Sequence, residues 1–232
     1  VLPPEARAVI LREAREKHAP FCEVRESALR VKALDLDHLC IDYGDCIDLE
    51  SRLIGLYQPR NIALVCEAVR MLEAEGVPVG TDALHAGIRA AQWHARFEVL
   101  QREPPVIFDG GHNPDGVRAA VETAKRLFSG KINVLTGILA DKDYETMADS
   151  IAEIAGQVFT VTPDNPRALS AEALAEVFIR RSIPVRPCGG IGEGVRAARR
   201  CSRRAQRPLL ILGSLYMYKD VYRHFCRRPA GD

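Results

Sequence analysis

From Phe97 onward the chain alternates short apolar runs with longer amphipathic segments, and this alternation restricts the fold more than any other feature. The apolar runs are 97–100, 106–108, 132–137, 157–161, 185–188 and 209–212, and helical spacing fills 115–128, 144–155, 170–182, 192–205 and 216–226. Strands joined through helices pair in parallel by right-handed crossovers, and helices then cover both faces of the sheet. The expected second part is therefore an α/β domain with a mostly parallel sheet.

Residues before that point read differently. Apolar residues among charges predict a helix over 4–17, followed by a strand-like run at 20–24. Between Ala28 and Ile47 apolar and charged residues alternate, with a turn signal at Tyr43-Gly44-Asp45, which predicts a small antiparallel hairpin or meander. Helical spacing resumes over 61–75, ended by Gly76, and again over 82–91. The expected division is 1–92 and 93–232, with the break near Arg96.

Charge excludes some function classes. Lys+Arg 32 nearly balances Asp+Glu 31, which argues against a nucleic-acid surface spread over the protein. Arg196, Arg199, Arg200, Arg203, Arg204 and Arg207 are spaced to line one helix face, read as a solvated exterior. Seven scattered cysteines without a C-x-x-C pair read as reduced thiols of a cytoplasmic protein. No apolar run approaches the roughly 18 residues of a membrane span, and no signal peptide is recognisable at the start. The chain begins at Val1 rather than Met, as expected for the tail of something longer.

Ligands of parallel sheets bind beyond the carboxyl ends of the strands, so the residues after each apolar run carry most weight. After 106–108 comes Asp109-Gly110-Gly111-His112-Asn113-Pro114-Asp115-Gly116. Paired glycines let the backbone approach a ligand closely, and a following helix offers free N–H groups and a positive dipole end to an anion. Asp109 can accept from ribose hydroxyls, and His112 and Asn113 can donate to phosphate or carboxylate oxygens. Asn113 as helix cap and Pro114 at the first helical position fit the same residues. Asp141-Lys142-Asp143 follows the run at 132 and suits either positioning of a substrate or metal or a turn with a cap. Arg167, on a proline-stiffened loop, suits carboxylate recognition, and Gly213-Ser214 closes the last run. No G-x-x-x-x-G-K-[ST] phosphate loop and no G-x-G-x-x-G fingerprint occurs. Gly189-Gly190-Ile191-Gly192-Glu193-Gly194 reads as a structural turn. His18, His38, His85 and His224 show no ligand spacing.

Taken in order, several stretches resemble the folylpolyglutamate synthase and dihydrofolate synthase family of the Mur ligase superfamily. They are 53–61 (Leu-Ile-Gly-Leu-Tyr-Gln-Pro-Arg-Asn), 93–98 (Trp-His-Ala-Arg-Phe-Glu), the Asp109–Gly116 loop, 141–143, 166–168 and Gly213-Ser214-Leu215-Tyr216. The resemblance implies a C-terminal Rossmann-like α/β domain, preceded by the end of a larger α/β ATPase domain with a small antiparallel sheet. It further implies that Asn61 contacts adenine, Arg96 the phosphates, Asp109 the ribose and His112 the terminal or acyl phosphate. The catalytic pair is then His112 and Arg96, and the nucleotide set adds Asn61, Asp109 and Asn113. Asp141, Lys142, Arg167 and Ser214 fall to substrate. The activity implied is ATP-dependent addition of L-glutamate to dihydropteroate or folyl-glutamates through an acyl phosphate. ATP and Mg2+ serve the reaction, with magnesium ligands and phosphate loop expected in an N-terminal part outside this chain, which alone is expected to be inactive. Partners are then small molecules only, with no nucleic acid or membrane, and the full-length enzyme is a monomer. The family's usual His-Gln is Tyr57-Gln58 here, and its Trp-Pro-Gly-Arg is Trp93-His94-Ala95-Arg96. The competing readings are a peptidoglycan-type ligase fragment and a non-catalytic nucleotide-binding module.

Overall fold

A computed structural model describes residues 3–225, which divide into two compact units. The expected helix over 216–226 and the cysteine at 226 reach beyond these residues. The first unit contains the described residues up to Ala33, with 39–52 and 57–91; the second contains 34–38, 53–56 and the described residues from Gln92 onward.

In the first unit, helix α1 spans Pro4–Glu16 and leads into a three-stranded sheet of β1 (Leu29–Leu34), β2 (Leu39–Tyr43) and β3 (Cys46–Ser51). Strands β2 and β3 pair antiparallel, Tyr43 opposite Cys46, and Gly44 takes the left-handed φ of 60° that so tight a turn requires. Helices α2 (Gln58–Ala74) and α3 (Thr81–Ala90) pack on β2 and β3, burying Leu39, Ile41, Leu49, Ile62, Cys66 and Ile88. Helix α2 begins three residues earlier than its apolar spacing predicts, because Pro59 lies in the first turn, where its missing N–H removes no helical bond. The expected strand at 20–24 is absent: the run pairs with no other strand, and Cys22 instead turns its thiol to Glu67, 2.9 Å away.

The second unit is built on six strands: β4 (Glu98–Arg102), β5 (Pro105–Phe108), β6 (Ile132–Thr136), β7 (Ala155–Thr160), β8 (Val185–Pro187) and β9 (Leu209–Leu212). Their spatial order is β4-β5-β9-β6-β7-β8; all neighbours are parallel except β4 and β5, which form an antiparallel pair. Five helices connect or follow them: α4 (Pro114–Leu127), α5 (Tyr144–Ala152), α6 (Ala171–Ile179), α7 (Ile191–Ala205) and α8 (Tyr218–Tyr222). Side chains alternate across the strands, so Ile107, Val134, Leu210 and Leu212 pack under α4, α5 and α6. Val106, Phe108, Leu135, Leu209 and Ile211 pack under α7 and α8. Both faces are covered, as the near-continuous apolar strands require.

Helices α5 and α6 end three residues before the sequence predicts, at Ala152 and Ile179. Ala155 is drawn into β7, where it pairs with Ile132, so sheet pairing overrides the helical spacing there. The arginine row on α7 is not wholly a solvated face. Arg199 is half-buried, donates to the carbonyl of His224 at 3.0 Å and to Gln101 Oε1 at 2.8 Å, and lies 4.4 Å over the Phe225 ring. The described cysteines are all free thiols, and burial pushes Cys66 up to about 12. Among the described residues no helix is long and apolar enough to cross a membrane.

Candidate nucleotide site at the carboxyl edge of the sheet

Because β5, β9, β6 and β7 run parallel, their carboxyl ends share one edge of the second unit. The loops leaving that edge are laced together by backbone hydrogen bonds. Gly213 N–H donates to the Gly111 carbonyl at 3.0 Å, Leu169 N–H to Ile138 at 3.0 Å, and Ala140 N–H to Arg167 at 2.7 Å. The edge is thereby a preformed surface rather than a set of independent loops.

At its centre is the turn from β5 into α4. Asp109 is only 2% exposed, and both carboxylate oxygens are held by backbone: Oδ1 accepts from Gly111 N–H at 2.7 Å and Oδ2 from Phe97 N–H at 2.9 Å. Its own N–H donates to Ile211 at 2.8 Å. The two glycines make room for the chain itself. A Cβ on Gly110 would stand 2.3 Å from Leu215 Cδ2, and one on Gly111 2.9 Å from the Gly116 carbonyl carbon. Asn113 caps α4, its Oδ1 accepting from Gly116 N–H at 2.8 Å, with Pro114 in the first turn. His112 is exposed, and its Nδ1 lies 3.0 Å from the Gly110 carbonyl. A carbonyl only accepts, so Nδ1 donates in this bond, and Nε2 has no hydrogen bond among the described residues.

The second component is the turn 94–98. Ala95 and Phe97, on either side of Arg96, are both left-handed, with φ of 60° and 47°. Gly110 N–H donates to the Ala95 carbonyl at 2.8 Å, so the arginine turn and His112 are both bonded to Gly110. Arg96 is half-buried and forms no ion pair among the described residues. Glu98, which the sequence did not single out for a role, gathers three donors: Ala95 N–H at 2.8 Å, Tyr218 Oη–H at 2.9 Å, and His94 Nδ1 at 3.0 Å. Its spacing from Ala95 was visible in the sequence; its partner 120 residues away was not.

The remaining residues singled out from sequence are placed as follows. Arg167 Nη1 donates to Asp141 Oδ2 at 2.7 Å, joining two of them in one exposed ion pair. Lys142 is half-buried beside them in the chain, and Asp143 caps α5 through Thr146 N–H at 3.1 Å. Ser214 is 1% exposed and caps the short turn Leu215–Met217 through Tyr216 N–H at 3.3 Å. Asn61 lies in the first unit, exposed on α2, with its amide donating to Gln58 Oε1 at 2.9 Å. The Gly189–Gly194 stretch is a turn into α7, where Gly189 N–H meets Glu193 Oε2 at 3.0 Å.

Residues 95–215, more than half of the chain, match the family described as Mur ligase, glutamate ligase domain. The chain belongs to the Mur ligase family. A folylpolyglutamate synthase of Lacticaseibacillus casei is 34% identical to this Mur ligase chain over 183 residues, covering 77% of this chain and 40% of that protein. A Mycobacterium tuberculosis folylpolyglutamate synthase complexed with ADP superposes with a TM-score of 0.83 at 24% identity, over 97% of this chain and 54% of that one, a likeness of fold. An FPGS–AMPPCP–folate complex superposes with a TM-score of 0.76 at 26% identity, over 97% and 52% of the two chains. This Mur ligase chain thus spans about half the length of its structural relatives, and less of the first.

Proposed function

We propose that the second unit is the nucleotide-side half of an ATP-dependent ligase that adds L-glutamate to dihydropteroate or to folyl-glutamates. One observation supports the reading: the backbone turn that carries Arg96, through the Ala95 carbonyl, and the ring of His112 are both hydrogen-bonded to Gly110, just ahead of α4. A helix N-terminus with a guanidinium and an imidazole beside it suits phosphate oxygens. The relatives described as folylpolyglutamate synthases favour glutamate ligation to a folate over a peptidoglycan substrate.

In this reading ATP supplies a phosphoryl group that activates the acceptor's carboxylate as an acyl phosphate, from which the amine of glutamate then displaces phosphate. Arg96 holds phosphate oxygens and offsets the charge that develops during transfer. With both ring nitrogens protonated, His112 donates from Nε2 to the terminal or acyl phosphate, its ring orientation set by the Gly110 carbonyl. Asp109 serves the ribose while tying Phe97 to Gly111, and Asn113 orients the first turn of α4. Asn61 is assigned to adenine, and Asp141, Lys142, Arg167 and Ser214 to the carboxylate substrates. Among the described residues no cluster of His, Cys, Asp or Glu could hold a metal ion, so no role is assigned here to a magnesium ligand.

The test is a ligation assay on the full-length protein with dihydropteroate and reduced folates as acceptors, in wild type and His112→Ala. Turnover of the variant should fall by about 100-fold while its melting temperature stays within a few degrees. Equal turnover at matched folding would remove His112 from the reaction, and no glutamate incorporation with any acceptor would remove the activity.

A further inference from the structure

The turn that presents Arg96 is not self-supporting. Two non-glycine residues, Ala95 and Phe97, occupy left-handed backbone on either side of it, a conformation that L residues disfavour. Such a turn persists only where its surroundings hold it. On the Phe97 side the hold is Asp109 Oδ2, at 2.9 Å from the amide. On the Ala95 side Gly110 N–H holds the carbonyl at 2.8 Å, and Glu98 holds the amide.

We infer that Glu98 is a positioning residue for Arg96, and that Tyr218 braces Glu98 against the sheet. This rests on the phosphate role proposed above for Arg96. Glu98 Oε2 accepts both Ala95 N–H and the Tyr218 hydroxyl, and Oε1 faces His94 Nδ1, with 20% of the side chain exposed. A carboxylate that takes charge-assisted bonds from both a backbone amide and a phenol fixes the distance between them. The phenol in turn is anchored: the Tyr218 ring meets fully buried Phe108 of β5 edge-on at 5.1 Å and lies 5.3 Å from Tyr222. Backbone at Ala95 is thereby tied through Glu98 and Tyr218 to the core beneath the sheet. Arg96, the residue between the two restraints, is the one ionisable side chain of the turn left without an ion pair among the described residues. The arrangement holds the backbone and offers the guanidinium.

Positioning is distinguished from plain stability by a double-mutant cycle on the full-length protein, read as ATP KM, glutamate KM, AMPPCP affinity and melting temperature. Glu98→Ala should raise the ATP KM and weaken AMPPCP by about ten-fold, because small misplacement of a binding group is costly. Glutamate KM should stay within about two-fold of wild type, and Tyr218→Phe, which keeps the ring, should show about a three-fold loss. Glu98→Gln retains an acceptor for Ala95 N–H and should recover part of the affinity. In an Arg96→Ala background, Glu98→Ala should cost no further AMPPCP affinity. Additive losses in that background, or equal rises in both KM values, would overturn the inference while leaving Arg96 as a phosphate contact. If Arg96→Ala alone leaves ATP KM and AMPPCP affinity unchanged, the phosphate reading of Arg96 fails and the inference falls with it.

Discussion

Each unit buries one carboxylate at a joint, and the two are satisfied in opposite ways. Glu67 of α2 is held by side chains: its oxygens accept from the Tyr43 hydroxyl at 2.5 Å, the Cys22 thiol at 2.9 Å and Arg70 Nη1 at 2.9 Å. Asp109 is held by the amides of Gly111 and Phe97. Side-chain partners make a cluster that titrates and can be exchanged. Backbone partners instead fix the path of two loops, so the second carboxylate defines geometry where the first contributes stability.

Asp109→Asn should break this contrast most severely. The amide can accept from one of the two backbone N–H groups but presents its own N–H to the other, leaving a buried donor unpaired at a cost of about 3 kcal/mol. Hydrogen exchange at Phe97 and Gly111 should accelerate together in that variant. If neither amide changes, Asp109 is not the tie between these turns. Glu67→Gln is the matched substitution in the first unit and should cost less, about 1–2 kcal/mol by urea unfolding, since a neutral amide still accepts from Tyr43 but loses the charge facing Arg70. Exchange at Phe97 and Gly111 should be unmoved by it, and any acceleration there would erase the distinction between the joints.

A smaller effect is expected from acid. Burial pushes the Glu67 carboxyl up, but hydrogen bonds from Cys22 and Tyr43 and the charge of Arg70 outweigh it and leave the group below its ordinary value. Glu23, paired with Arg7, and Asp45, paired with Arg70, are also lowered in this unit. A group depressed on folding stabilises fully above its unfolded pKa, about 4.3 for glutamate, and loses that contribution as pH falls through the lower folded value. The urea midpoint reported by first-unit probes should therefore drop between pH 5 and pH 3, and Glu67→Gln should flatten the slope. An unchanged slope would reassign the acid response to other groups. The smallest expected effect has the opposite sign. Thr136, at the end of β6, buries a hydroxyl with no hydrogen-bond partner among the described residues, so Thr136→Val should be neutral or stabilising by up to about 1 kcal/mol in thermal unfolding. A clear loss of stability would show that the hydroxyl is engaged in solution.

Legibility from sequence followed the range of the interaction. The cap of α4 could be read because Asn113, Pro114 and Gly116 are neighbours and the bond that joins them is local. Strand-helix alternation likewise located the second-unit strands, although β4 turned out antiparallel to β5. The run at 20–24 failed because a strand needs a partner edge, which its composition does not reveal. At the site, Gly110 and Gly111 were read as places where the backbone approaches a ligand, whereas the groups packed against them are Leu215 and Gly116 of the same chain. Glu98 was given no role because its meaning depends on Tyr218, brought beside it only by the completed fold.

The placement of β9 between β5 and β6 bears on how the protein is made. Until residues 209–212 leave the ribosome, the two halves of the sheet have no strand to join them, since β5 and β6 each pair with β9 and not with each other. The bonds from Asp109 N–H to Ile211 and from Gly213 N–H to Gly111 are formed by the same late segment. During synthesis the carboxyl edge of this sheet is therefore completed only once β9 has emerged. Truncation between β8 and β9 leaves β5 and β6 as two unpaired apolar strand edges.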